Sequence, residues 1–294
     1  MNLEFRVDYS LKQLKNKLKE NEITAMASLL GDRSLKIRNR VSLSLEKNID
    51  VARPILEGVL KEEQDPLVRE RINLLLQLSA TDDPAKHWAI MSDNLCFNLR
   101  DGMVAISMLD VDMDVNRIEL LENITELADN WLDNLGKNMS DEEKVHDLMN
   151  YLFNPDAFIG NSEDYYSLDN CFMHRILKHK KGLPVTLCVL AVMLAEEAEL
   201  PLLGIGLPLH FIVGHFQGSK GISFYDCFDA GREVSSEECV NYLHSRGIFF
   251  HPQLLSPCDN KSILQRVLVN IKHIAQRKGY QNHVDSLDRI KDVD

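Results

Sequence analysis

The run from Val185 to Ala195, VTLCVLAVMLA, is apolar on every face of a helix. A helix with no polar side has to be enclosed by other elements, so the fold must be built around this segment. Pro184 suits the first helical position, where its missing N–H costs nothing. Downstream, GIGLPLHFIVGHF and FYDCFDAG read as two or three β-rich segments carrying His210 and Asp226. These strands are the expected cover of the helix.

Several blocks recur around this centre in a definite order. Gly182-x-Pro184 opens the helix and Leu200-Pro201 closes it; Pro208-x-His210-Phe211 and Asp226-x-Phe228-x-x-Gly231 follow. Upstream stand Leu152-Phe153, Gly160-Asn161 and Tyr165-Tyr166, and downstream an amphipathic stretch from Leu264 to Ile274. The set resembles the transglutaminase-like domain of the bacterial SirB type, named after a regulator of invasion genes and placed among papain-like folds. The likeness runs from about residue 95 to about residue 276 and leaves the first 90 or so outside it. It implies an α+β fold, with a papain/transglutaminase-like core of a buried helix against a small antiparallel sheet.

Active enzymes of that fold imply a nucleophilic Cys at the start of the central helix, a base His on the next strand and an orienting Asp on the strand after. Carried over by position, His210 matches the His and Asp226 the Asp. The nucleophile position is occupied by Pro184, so the resemblance implies a scaffold with an incomplete triad. Cys188, four residues on, lies one turn deeper on the same helix face. It is either a displaced thiol, activated by the helix N-terminus and His210, or a small buried apolar residue, the commoner state of a free Cys. Cys227 follows Asp226 directly and in a strand points to the opposite face.

A His between Leu209 and Phe211 is in general a hydrogen-bonded core residue, and its family order with Asp226 argues for a His–carboxylate pair that is structural or catalytic. His210, Asp226 and His215 offer metal-ligand types, but a regular strand puts His215 on the other face from His210. No metal or cofactor is expected. The six cysteines are scattered with no Cys-x-x-Cys pair, which argues for reduced thiols, against structural zinc and against a disulfide framework.

The net charge of −12 is concentrated. Residues 101–170 hold 17 Asp and Glu against 3 Lys and Arg, whereas residues 1–80 hold 12 against 14. Free nucleic acid is therefore an unsuitable partner, and the acidic half suits a basic protein surface, a cationic ligand or simply solvent. The basic stretch from His174 to Lys181 reads as a solvated helix end or as an anion contact at the start of the central helix. No signal-like start or membrane-length apolar run is seen, so a cytoplasmic protein without membrane contact is expected.

Residues 2–80 read as helices with an internal repeat. Ile37, Arg38, Arg40, Val41, Leu43 and Leu45 align with Val68, Arg69, Arg71, Ile72, Leu74 and Leu76 at an offset of 31, each set following an Asp-containing turn. This resembles a HEAT-type helical module, which would bind a protein partner or extend the main core. Ser79 to Lys86 contains turn formers, giving expected divisions at 1–86 (helical module), 87–280 (transglutaminase-like domain) and 281–294 (polar tail). Helices are predicted from Trp88 to Leu109, from Asn116 to Leu135, after the capping pairs Ser140/Glu143 and Ser235/Glu238, and last from Ser262 to Lys278. In the loop from Asn154 to Asp169, Phe158, Tyr165 and Tyr166 either pack over the domain's end or face a ligand.

Two functions fit. The preferred one is a non-catalytic transglutaminase-like scaffold with a regulatory or protein-binding role, its partner held by the helical module or the acidic face. The alternative is a cysteine-dependent acyl transferase or protease-like hydrolase using Cys188, His210 and Asp226.

Overall fold

The computed structural model describes residues 18–94, 98–154 and 156–290. Expectations for residues 2–17, Cys96, Pro155 and the last four residues lie outside these. The chain divides into two compact units, one ending at Asp82 and the other beginning at Asp83.

The first unit is all helical over its described residues: α1 (Glu20–Leu29), α2 (Leu35–Lys47), α3 (Ile49–Glu62) and α4 (Pro66–Leu78). Asp65 caps α4 by accepting from the N–H groups of Leu67 and Val68, with Pro66 at the first helical position. Ile23, Ala27, Leu45, Leu56 and Ile72 bring one apolar face of each helix to a common core. Arg38 and Arg69, 31 positions apart, make parallel contacts. Arg38 donates to the Asp32 and Arg33 carbonyls, and Arg69 to those of Leu60 and Glu63. Each arginine thus satisfies carbonyls at or just after the end of the preceding helix.

The second unit opens with α5 (Pro84–Ser92), α6 (Leu99–Ser107), α7 (Arg117–Asp133) and α8 (Asp141–Leu152). The helical stretch expected from Trp88 to Leu109 falls in two helices, α5 and α6. Asn98 is extended and caps α6 through the Asp101 N–H, a capping signal that the apolar pattern concealed. Ser140 and Glu143 form a reciprocal capping box. Strand β1 (Ile159–Gly160) pairs in parallel with β2 (Lys181–Gly182), which follows α9 (Met173–His179).

The centre is α10 (Pro184–Glu197), in which every residue except Glu196 is buried. It packs on β3 (Leu202–Ile205) and β4 (Ile212–Phe216) on one side and on α6, α8 and α12 (Asn260–Lys278) on others. With β5 (Ile222–Asp226) and β6 (Arg232–Val234), β3 and β4 form one antiparallel sheet in sequence order. The fold class is α+β, with the buried helix against a small antiparallel sheet. Helix α11 (Ser236–His244) follows, with Ser235 and Glu238 as its capping box.

The chain after α12 departs from expectation. The segment expected as a polar tail contains a helix, α13 (Gln281–Asp288), with His283 and Leu287 buried. It is held both by buried Leu287 and Ile290 and by a polar contact of His283. Asp110, just after α6, accepts from Arg175 Nε at 2.6 Å and Nη2 at 2.8 Å, and lies 2.9 Å from His174 Nε2 and 3.1 Å from His283 Nε2. The basic stretch after Phe172 is therefore not only a solvated helix end, because its first two residues grip a buried carboxylate. Burial pushes the Asp110 carboxyl up, but the bonds from His174, Arg175 and His283 outweigh it and hold the group well below the usual carboxylate range.

Candidate functional site

The start of α10 is fixed by an asparagine relay. The Asn170 carbonyl accepts from the Leu183 N–H at 3.2 Å and from Thr186 Oγ1 at 2.8 Å. Its side chain donates to the carbonyls of Asp164 and Tyr165 and accepts from Asn161 Nδ2. Gly160 is needed where β1 passes the Phe228 backbone, because a Cβ there would collide with the Phe228 carbonyl oxygen and ring. The Gly-Asn and Tyr-Tyr pairs thus hold a loop against the first turn of the central helix.

That turn forms part of a cleft of about 660 Å³, large enough for a small organic ligand. Pro184 and Val185 line it, together with Tyr165, Tyr166, His210 and Tyr242. Both tyrosines of the pair therefore face the cleft, whereas Phe158 is buried and lies under Lys180. His210 sits not on a strand but in the turn before β4, after Leu209 at φ +65°. The turn is held from outside the sheet. Arg266 of α12 donates to the Leu207 and His210 carbonyls at 2.8 and 2.7 Å, and the Tyr242 hydroxyl donates to the Leu209 carbonyl.

His210 Nε2 and Asp226 Oδ2 are 2.7 Å apart. The other carboxylate oxygen of Asp226, at the end of β5, accepts the N–H groups of Phe228 and Asp229, which fixes its orientation. The His210 ring also rests against Tyr242, with centroids 5.4 Å apart. The structure therefore brings together His210, Asp226 and Pro184. Cys188 is elsewhere: fully buried, it is not among the cleft-lining residues, and its thiol meets the Phe211 carbonyl oxygen at 3.5 Å. Burial, followed by a hydrogen bond with Cys227, pushes its pKa well above the ordinary thiol value, so it is a neutral thiol at physiological pH.

Residues 118–269 match the Transglutaminase-like superfamily. The chain belongs to this superfamily. Among relatives of the transglutaminase-like chain, F-box only protein 21 of Homo sapiens is 31% identical over 159 residues, half of this chain and a quarter of that protein. A UPF0162 protein of Xylella fastidiosa (strain 9a5c) is 28% identical over 154 residues, 50% of this chain and 54% of the relative. Another UPF0162 protein, from Haemophilus influenzae, is 29% identical over 97 residues, a third of this chain and 36% of the relative. This chain therefore matches only about a quarter to a half of these relatives' lengths. No solved structure matches.

His215 takes no part in the site. It is buried in β4 beside Gln217, and burial lowers its pKa. The trio that lies within metal-ligating reach among the described residues is Asp110, Asp112 and His283 instead, and there Arg175 already occupies Asp110. The described cysteines, Cys171, Cys188, Cys227, Cys239 and Cys258, are all free thiols. No helix of the described residues is long and apolar enough to cross a membrane.

Motif reading missed several residues of the cleft lining: Tyr242, Arg246, Arg266, Asn270 and His273. A signal for part of it was present. Arg266, Asn270, His273 and Arg277 recur at helical spacing as a polar stripe between the apolar positions Leu264, Val267, Leu268 and Ile271.

Proposed function

We propose that the transglutaminase-like domain is a non-catalytic binding module of the SirB type, with His210 and Asp226 kept as a polar brace beside a ligand cleft. The observation that carries this reading is Pro184 in the cleft wall at the first position of α10, where the family resemblance expects the nucleophile. A pyrrolidine ring offers no atom to be acylated. The thiol next along the helix is sealed and neutral, which supports the same reading.

On this view the helices before Asp82 form a HEAT-like surface for a protein partner. The parallel carbonyl contacts of Arg38 and Arg69 support a repeated unit. The acidic segment within residues 101–170 is the other candidate contact face, and the protein works in the cytoplasm as a regulatory scaffold. Nucleic acid has no role in it.

The deciding experiment treats the full chain with an activated acyl ester and an alkylating electrophile at neutral pH, followed by peptide mass mapping. No acyl group at Cys188 and no ester turnover above the buffer rate are expected. Stoichiometric acylation of Cys188 that disappears in His210→Ala would overturn the proposal in favour of a cysteine-dependent acyl transferase or hydrolase.

A further inference from the structure

The cleft has the opposite electrical character to the chain that carries it. The protein has a net charge of −12, yet Arg246 and Arg266 line the cleft and no Asp or Glu does; Asp226, which bonds His210, is not itself in the lining. Neither arginine has a carboxylate partner among the described residues. Arg266 spends Nη2 on two backbone carbonyls and lies 5.4 Å from the centre of the Phe211 ring. Arg246 lies 3.6 Å over the Tyr242 ring and donates to the Tyr242 carbonyl and the Ser245 hydroxyl. Arg266 is half-buried with only neutral partners, which favours an incoming anion because part of the cost of desolvating the cation has already been met in folding; Arg246 is exposed and adds its charge from the rim.

Three further features describe what such an anion is attached to. Asn270 lies one turn beyond Arg266 on α12, and its side-chain amide has no hydrogen-bonding partner among the described residues, which leaves a donor and an acceptor facing the cleft. Part of the lining is aromatic: the Tyr165 ring meets Tyr166 and Phe228 edge to face, with centroids 5.3 and 5.9 Å apart, and the Tyr166 ring lies 6.1 Å from that of His273 on α12. At the cleft, Leu209 is held at φ +65°, which is unfavourable for a branched side chain, and is 71% exposed. An exposed apolar side chain fixed in a strained turn beside a cleft is a ready contact for a ligand's apolar part.

We propose that this cleft binds a singly charged carboxylate attached to an aromatic or large apolar group. The carboxylate lies between Arg266 and Arg246, an adjoining amide meets Asn270, and the apolar group lies among Tyr165, Tyr166 and Leu209. A free N-acyl amino acid and the C-terminus of a peptide ending in an apolar residue share this chemistry. The inference rests on the cleft being a binding site rather than an acyl-transfer site. Its test uses no acyl chemistry, so the two readings fail separately.

The experiment is calorimetric titration of the full chain with N-acetyl-phenylalanine, with its primary amide, with a hexapeptide ending in Phe as free acid, and with inorganic phosphate. At least one free acid is expected to bind ten-fold or more tightly than the amide, and binding should weaken with added salt. Preference for the hexapeptide over the N-acetyl amino acid would identify a peptide C-terminus as the source; the reverse would identify a small metabolite. Asn270→Asp, which sets a like charge in the cleft at a side chain with no structural partner, should weaken that acid at least ten-fold with an unchanged melting temperature. Arg246→Gln, at an exposed position, should weaken it as well. Equal affinity for acid and amide, no binding of either acid up to about 10 mM, tighter binding of phosphate than of both acids, or full affinity in Asn270→Asp would each overturn the proposal.

Discussion

The Cys188 thiol and the Phe211 carbonyl oxygen, 3.5 Å apart in a fully buried position, tie the middle of the central helix to the residue that follows His210. The thiol thus packs behind the cleft. In native protein at neutral pH, among the described cysteines iodoacetamide should modify the partly exposed Cys258 first and leave Cys171, Cys188 and Cys227 protected until the chain opens. Time-resolved peptide mapping will show this order, and early modification of Cys188 would contradict it.

Installing a thiol at the vacant position gives a sharper test. Pro184→Cys places sulfur at the first residue of α10, in the cleft wall and at the positive end of the helix. The variant should fold, losing roughly 0.4–1 kcal/mol through the freed backbone. Its new thiol should be alkylated faster than an unstructured cysteine at pH 7, with a rate midpoint below the ordinary thiol value of about 8.5. Labelling as slow as that of Cys188 would mean that the first turn of α10 does not open to the cleft.

The buried carboxylate of Asp110 anchors α13, so its removal should be felt 173 residues away. Asp110→Ala leaves Arg175 without its main partner and is expected to cost about 3–5 kcal/mol in urea unfolding. Hydrogen exchange should show residues 281–290 losing protection ahead of α10. Because the folded carboxyl titrates below its unfolded counterpart, the native state binds fewer protons than the unfolded chain in acid. The stability from this site is therefore present above the unfolded value of about 3.9 and lost as pH falls toward the folded one. The wild type should show this acid loss and Asp110→Asn should not.

At the alkaline end the sign reverses. Burial raises the thiol pKa values of Cys171 and Cys188 far above normal and pushes Cys239 up to about 11. Above about pH 8.5 the unfolded chain releases these protons while the native state retains them, so stability falls with a slope of about 1.4 kcal/mol per pH unit for each retained proton. Melting temperatures between pH 8 and 10 will show the decline, and Cys171→Ala should make it shallower.

Gly160→Ala tests the packing of the Tyr-Tyr loop. The added methyl meets the Phe228 carbonyl, which is backbone and cannot rotate aside. A loss of about 1–3 kcal/mol is expected, together with weaker protection of the β1–β2 pair.

How much of this was legible in the sequence follows from the kind of signal each part emits. The enclosed helix showed itself because eleven consecutive positions from Val185 to Ala195 contain no charge. Capping at Ser140 and Ser235 was readable because both partners lie within one turn. The pairing of His210 with Asp226 was anticipated from motif order, but the support of His210 was not. Arg266 lies 56 residues from His210 and acts through a backbone carbonyl, which no side-chain pattern encodes. The C-terminal helix was missed for a related reason, since the contact of His283 with a distant carboxylate has no local signal and its buried apolar residues, Leu287 and Ile290, are few.

Arg266 also has a mechanical meaning. One guanidinium nitrogen grasps the carbonyls of Leu207 and His210, so the turn carrying the imidazole is moored to α12 rather than to the strand it precedes. A slide of α12 along its axis would haul that turn with it and stretch the 2.7 Å link to Asp226. The distance between imidazole and carboxylate is therefore set in part from a helix residue 56 positions further along the chain.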